Sequence, residues 1–341
     1  MKNTLIDQIL HIIIDDKFDE DVINELISND KTVNEKRQLK EIIIALRQSN
    51  YITLRKVSES HLTGNINNIF VDIIIVPKQN YLDKLIVRPK TKNVTSFKDF
   101  IDSFFVFDNS VFSAMFNTQF QNKNKKMAVS SLIKLLVATN IYFLNQENKL
   151  TLKNKYIINN SDISVLSAGL NINDVGKSIS YQELLSRMLL ASDNTAMDIL
   201  LKVIEPHDMT KLYEECLDIE YGHIELTNIL YLKNWSAFQS KEYMKEVQWI
   251  NGQDYFLSMK EIQKIINYLC NQSWLPWDDL PNNQMIYKGG NAPGVLSAIW
   301  MNRNNRKVLA FAFNIPREIN LVEELYIYEN ARKLMEFENL L

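Results

Sequence analysis

The sequence predicts an α/β sandwich, an antiparallel sheet with helices against it, preceded by a small α+β domain. Three observations predict this. Residues 1–94 read as amphipathic helices followed by short β-rich runs, the order of a small α+β unit. Residues 95–341 place apolar helices before and after a set of β-branched and aromatic runs, and helices on either side of an antiparallel sheet in sequence pack naturally onto it. With 341 residues, 46% hydrophobic and 10% aromatic, the chain has apolar surface enough for two cores.

In the first domain Ile and Leu recur at three- and four-residue steps over Thr4–Ile14, Glu20–Ile27 and Asn34–Arg47, which predicts helices. Tyr51–Val57, Ile69–Val76 and Leu85–Val87 predict strands, with turns at Gly64-Asn65 and at Pro77-Lys78-Gln79-Asn80. Pro89 and the polar run Thr91–Thr95 form the linker that ends the domain at residue 94.

The second domain opens with a helix from Phe97 into Phe104–Phe107 and a strand over Val111–Phe116. From Ser131 the chain runs apolar through Leu144. A helix apolar almost all round lies inside its domain, and a serine on its first turn is held rigidly. Ser180–Leu201 is a second helical pattern, broken at Ser192-Asp193-Asn194. Strands follow at Gln284–Tyr287, Val295–Met301 and Val308–Asn314, the last two joined by the polar turn Asn302–Arg306. A helix over Leu321–Phe337 closes the domain.

Composition excludes several function classes. Thirty-eight Lys and Arg against 41 Asp and Glu leave a net charge of -3, with no long run of one sign, so neither nucleic acid nor a membrane surface is an expected partner. No window approaches the roughly 18 uninterrupted apolar residues of a membrane span. The stretch Leu5–Ile14 is interrupted by Asp7, Gln8 and His11, so no secretory signal is read and a cytoplasmic location is expected. Cys216 and Cys270 are far apart and outside any C-x-x-C spacing, and read as two free, mostly buried thiols. The four histidines are scattered away from metal-ligand spacings, so no metal or cofactor is called for.

Chemistry gathers around three short motifs. Ser131 and Lys134, at i and i+3, present both side chains on one helix face. A serine hydroxyl needs a base, and a lysine serves once desolvation or another cation lowers its pKa. The buried helix supplies the desolvation, and Lys288 brought alongside would supply the second charge. Alone the pattern is cheap: Ser28-Asn29-Asp30-Lys31 also fits S-x-x-K and reads as a helix-terminus or turn feature. Here, however, S-x-x-K is followed by Ser192-Asp193-Asn194 and then by Lys288-Gly289-Gly290.

This ordered set resembles the class A β-lactamase and penicillin-binding-protein family, whose motifs are S-x-x-K, S-D-N and K-T-G. The resemblance covers residues 97–341 and includes Tyr181–Leu201, which is similar to the family's helix around its second motif. It implies the serine β-lactamase-like sandwich, an acyl-enzyme mechanism and a small-molecule acyl substrate. Residue by residue it implies Ser131 as nucleophile, Lys134 as its base, Ser192 as proton relay and Asn194 as a tether for Lys134 and the substrate amide. Lys288 would tune the field and attract an anionic substrate, Gly289 and Gly290 border the substrate, and the Ser131 and Asn291 amides form the oxyanion hole. Tyr287 beside Lys288 is a candidate cleft residue, with packing between sheet and helix as its alternative. By element order alone, the first domain resembles the cone-shaped α+β modules related to ketosteroid isomerase, and a docking or scaffold role is expected of it.

Two departures matter. Gly289 stands where the family has a hydroxyl that helps hold a substrate carboxylate. No E-x-x-L-N string lies between Asn194 and Lys288, and Glu225 is the nearest candidate for the deacylating base. The expected function is a serine hydrolase or acyltransferase acting on a small ester, thioester or amide. A true β-lactamase or penicillin-binding peptidase is the alternative, and a non-catalytic binding protein of the same fold is a third reading.

Overall fold

Thr4 with Asp7, and Thr32 with Glu35, form reciprocal capping boxes that start two of the helices of the N-terminal segment. The helices are α1 (Leu5–Ile14), α2 (Glu20–Leu26) and α3 (Val33–Arg47). A four-stranded antiparallel meander follows: β1 (Ile52–Ser58), β2 (His61–Ile66), β3 (Ile69–Lys78) and β4 (Tyr81–Pro89). Ile6 and Ile9 of α1, Ile43 and Leu46 of α3, and Leu62, Ile66, Val71 and Ile73 of the sheet are buried and form this unit's core. The computed structural model describes residues 4–15, 20–49, 51–164, 167, 169–220, 226, 246–281 and 284–341.

Gly64-Asn65, expected to be a turn, lies inside β2, opposite Leu54 and Thr53. The glycine is there because β1 comes too close for a side chain: a Cβ would meet the Thr53 carbonyl oxygen at 1.8 Å. The turn is Asn67-Asn68, both at positive φ (47° and 67°), the conformation a two-residue hairpin demands and Asn tolerates. The S-x-x-K decoy is a turn as expected. The Ser28 hydroxyl bonds to Asp30, and Lys31 Nζ pairs with Asp83 at 3.0 Å.

The chain folds as two units, and the boundary differs from the one expected at residue 94. One unit is Met1–Asp108 with Ile319–Asn339, and the other is Asn109–Glu318 with Leu340–Leu341. The short helix α4 (Phe97–Asp102) and the C-terminal helix therefore belong with the N-terminal unit. The reason is apolar complementarity between segments remote in sequence. Phe107 meets Tyr326 edge-on at a centroid distance of 5.9 Å, and the C-terminal helix packs on β3, β4, α3 and α4.

The second unit holds a five-stranded antiparallel sheet. It begins with β5 (Val111–Phe116), β6 (Gln119–Gln121) and the short β7 (Met127–Ala128). Next come α5 (Lys134–Gln146), the pair β8 (Lys155–Ile157) and β9 (Ser178–Ser180), then α6 (Tyr181–Leu190), α7 (Asn194–Leu201) and α8 (Pro206–Thr210). It finishes with β10 (Phe256–Leu257), α9 (Met259–Leu269), β11 (Met285–Ala292), β12 (Val295–Asn302) and β13 (Val308–Asn314), ahead of α10 (Leu321–Phe337) in the first unit. The sheet order is β11-β12-β13-β5-β6, and β7 pairs with β10. This is the expected antiparallel sheet with helices.

Helix α5 is buried from Lys134 through Leu144, and α6, α7 and α9 pack around it. It starts later than expected: Ser130–Ile133 form a 3-10 turn, so Ser131 precedes the α-helix proper. The strand expected over Gln284–Tyr287 runs on to Ala292 and carries the third motif along the sheet edge. Both cysteines are free, but Cys216 is exposed, at the end of its helical segment, and only Cys270 is partly buried. Among the described residues no helix is long and apolar enough to cross a membrane.

Candidate active site

Three elements bring the motif residues together. The 3-10 turn presents Ser131, partly exposed, while Lys134 at the start of α5 is 1% exposed. The break between α6 and α7 presents Ser192 and Asn194. Edge strand β11 contributes Lys288, 3% exposed, which reaches the same point. The nucleophile candidate is thus open to solvent and both amines are not.

The break in the helical pattern has a cause that the sequence states. Asp193 is the N-cap of α7, accepting from the Ala196 amide at 3.2 Å. It also accepts from the Ser167 hydroxyl at 2.6 Å and the Leu170 amide at 2.7 Å. Held this way, its neighbour Ser192 adopts φ 56°, a left-handed conformation uncommon for a residue with a Cβ. The hydroxyl and carbonyl of Ser192 then both face Lys134.

Lys134 Nζ lies 3.2 Å from Ser131 Oγ, 3.0 Å from Ser192 Oγ, 2.6 Å from the Ser192 carbonyl oxygen and 2.5 Å from Asn194 Oδ1. The last two oxygens only accept. A neutral amine has two N–H donors for them, which leaves its lone pair toward the two serine hydroxyls. Burial, and then the charge of Lys288, lower the Lys134 pKa to about 7, against an opposing pull from Asp193 and Asp198. Lys288 Nζ donates to Ser192 Oγ at 3.0 Å and to the Gly289 carbonyl at 2.7 Å. Burial brings its pKa down to about 8.

Gly290 is where β11 crosses the nucleophile turn. A Cβ there would stand 2.3 Å from the Val129 carbonyl oxygen, 2.6 Å from Ser297 Oγ and 2.9 Å from the Leu132 nitrogen. The Ser297 hydroxyl donates to that Val129 carbonyl at 2.7 Å, and the Ser130 hydroxyl donates to the Asn291 carbonyl at 3.0 Å. In a strand the amide and carbonyl of one residue point to the same edge, so the Asn291 amide also faces the Ser130-Ser131 turn. In the sequence Ser297 and Ser130 carry no assignment, and Asp193 stands in the second motif without a role of its own. The Asp before a helical run was a readable cap signal; the other two carried none.

Tyr287 is not brought to this cluster. Strand alternation sends it to the face opposite Lys288, where its ring stacks on Trp300 at 5.5 Å while remaining 43% exposed. It is thus neither in the cluster nor packed between sheet and helix, the alternative expected for it. Glu225, the candidate deacylating base, lies outside the described residues.

A family model described as the beta-lactamase enzyme family matches residues 111–297, inside the second unit. A PBP-A mutant solved as an acyl-enzyme complex with penicillin G is similar in fold, with a TM-score of 0.52 and 13% identity, covering 71% of this chain and 96% of that one. A beta-lactamase from Francisella tularensis has a TM-score of 0.52 at 17% identity, covering 71% and 98% respectively. PBP-A itself gives 0.50 at 15% identity, covering 69% and 92%. At these identities the likeness is one of fold, that of the serine β-lactamases. No curated protein matches the chain.

Proposed function

Because this chain belongs to the beta-lactamase enzyme family, of the serine hydrolase type, we propose that it works through an acyl-enzyme on Ser131 with a small ester, thioester or amide as acyl donor. The observation that carries the reading is Lys134 Nζ within 3.2 Å of Ser131 Oγ, in surroundings that favour its neutral form.

In the first half-reaction neutral Lys134 takes the Ser131 proton as Oγ attacks the substrate carbonyl. The Ser131 and Asn291 amides receive the oxyanion, helped by the Lys288 charge nearby. Collapse breaks the bond to the leaving group, which collects its proton through the Ser192 hydroxyl, bonded to both amines. This leaves the acyl group on Ser131 and Lys134 neutral again. In the second half-reaction the acyl group passes to water or to another nucleophile.

Gly289 offers no hydroxyl to a substrate carboxylate, which supports a preference for uncharged acyl donors over penicillins. Incubation with p-nitrophenyl acetate tests the reading. A stoichiometric burst of nitrophenolate followed by slower release is expected, and penicillin G is expected to leave a lasting adduct. No nitrophenolate release above the uncatalysed rate, with no acetyl adduct on the protein, would sink the acyl-enzyme. Rapid penicillin turnover without a detectable adduct would make the chain a true β-lactamase instead.

A further inference from the structure

Asp254 is a carboxylate that the mechanism above does not use. It sits just before β10, where the β7–β10 ladder (Ala128 opposite Phe256) ends and the nucleophile turn begins. Its Oδ1 accepts from the Ser130 amide at 2.8 Å and from its neighbour Tyr255's amide at 2.6 Å. The Val129 amide donates to the Tyr255 carbonyl at 2.9 Å and, lying close by, also favours the ionised Asp254 carboxyl. Ser130, the residue before the nucleophile, stands at φ 48°, which a residue with a Cβ adopts only when its surroundings hold it there. Those surroundings are Asp254 on its amide and the Asn291 carbonyl on its hydroxyl.

We infer that Asp254 is a positioning residue for Ser131: as a carboxylate it fixes the left-handed Ser130 from which the nucleophile and its amide project, and on protonation it loosens that hold. The inference rests on the serine hydrolase reading. Hydrogen bonds from amides to an ionised acceptor are roughly twice as strong as to a neutral one, so charge and not merely shape sets the grip. The groups facing Asp254 are the amides of Val129, Ser130 and Tyr255, and no charged side chain among the described residues acts on it. Burial without a cation pushes its carboxyl up to about 6. Ionisation of Asp254 is therefore complete at pH 8 and lost by pH 5.

Lys134, at about 7, must also be neutral for attack, so two protonations oppose the reaction in acid. The rate of covalent labelling by a fluorophosphonate, followed by intact-protein mass from pH 5 to 9, reads them separately. In the wild type the logarithm of the rate is expected to fall with slope one below pH 7 and to steepen to about one and a half between pH 6 and pH 5, where loss of the Asp254 charge adds its own roughly tenfold drop. Asp254→Asn keeps an acceptor oxygen and removes the charge. It is expected to label about tenfold slower at pH 8 and to retain slope one throughout. Asp254→Ala is expected to be about a hundredfold slower. A wild-type slope of one down to pH 5, or wild-type rates at pH 8 in both variants, overturns the inference. No labelling of the wild type at any pH would instead remove the serine hydrolase reading, so the two failures are distinct.

Discussion

Lys134 and Lys288 meet at one hydroxyl: each Nζ lies 3.0 Å from Ser192 Oγ. Both amines are almost fully buried, and burial favours the neutral form of each; at Lys134 the neighbouring charge of Lys288 adds to it. Lys134 yields first, at about 7 against about 8 for Lys288. The arrangement leaves a neutral base beside a remaining cation at neutral pH.

The electrostatics of that pair can be moved in both directions. Lys288→Met removes the like charge that lowers the Lys134 pKa, so the acid limb of the labelling-rate profile is expected to move to higher pH, with the plateau rate down about 10- to 100-fold. Asp198, its carboxyl pushed up to about 7 by burial, holds the Lys134 proton on only where it is ionised, so Asp198→Asn is expected to move the limb slightly to lower pH. Shifts of the same sign in both variants would contradict this account of the base.

Lys134 also leaves a signature in stability. Its pKa is about 7 in the fold and 10.5 for a solvated lysine, so between these values the unfolded chain binds more protons and the group's contribution to stability rises with pH. Relative to Lys134→Met, the wild type is expected to gain about 1.4 kcal/mol per pH unit from pH 7.5 to 9.5 in denaturant unfolding. A pH-independent difference between the two proteins would mean that Lys134 is charged in the fold.

Gly290→Ala places a methyl against the Val129 carbonyl and the Leu132 nitrogen, backbone atoms of the nucleophile turn. A loss of about 1–3 kcal/mol in stability is expected, together with slower labelling of Ser131, since the turn must shift to make room. Thermal melts and labelling rates that match the wild type would show that the turn is not braced by β11.

For Asp193→Ala the loss is structural before it is chemical. The α7 cap and the bonds from Ser167 and Leu170 go together, which is expected to cost about 2 kcal/mol or more and to lower Tm by roughly 4–8 °C. An unchanged Tm would mean that Ser192 keeps its left-handed conformation without the cap.

Much of the site was legible in the sequence because its chemistry is local: S-x-x-K on one turn, S-D-N at a helix break, and Lys288 on a strand are short patterns that each fold where they stand. What was not legible depends on distant partners. Asp254 is a lone acid between Gln253 and Tyr255, and only the end of the β7–β10 ladder sets it under Ser130. The C-terminal helix reads as part of the unit it follows, and only contacts such as Phe107 with Tyr326 assign it to the other. Gly64 carries a turn residue's signal, yet close approach to Thr53 explains it equally well. Tyr287 was readable after all, since one step from Lys288 along a strand reverses the face.

The most direct test of the central claim is intact-protein mass after incubation with a fluorophosphonate, comparing the wild type with Ser131→Ala. A single adduct on the wild type that disappears in the variant is the predicted result. An adduct that persists on Ser131→Ala, or a wild-type protein that takes up no label, would contradict Ser131 as the nucleophile activated by Lys134.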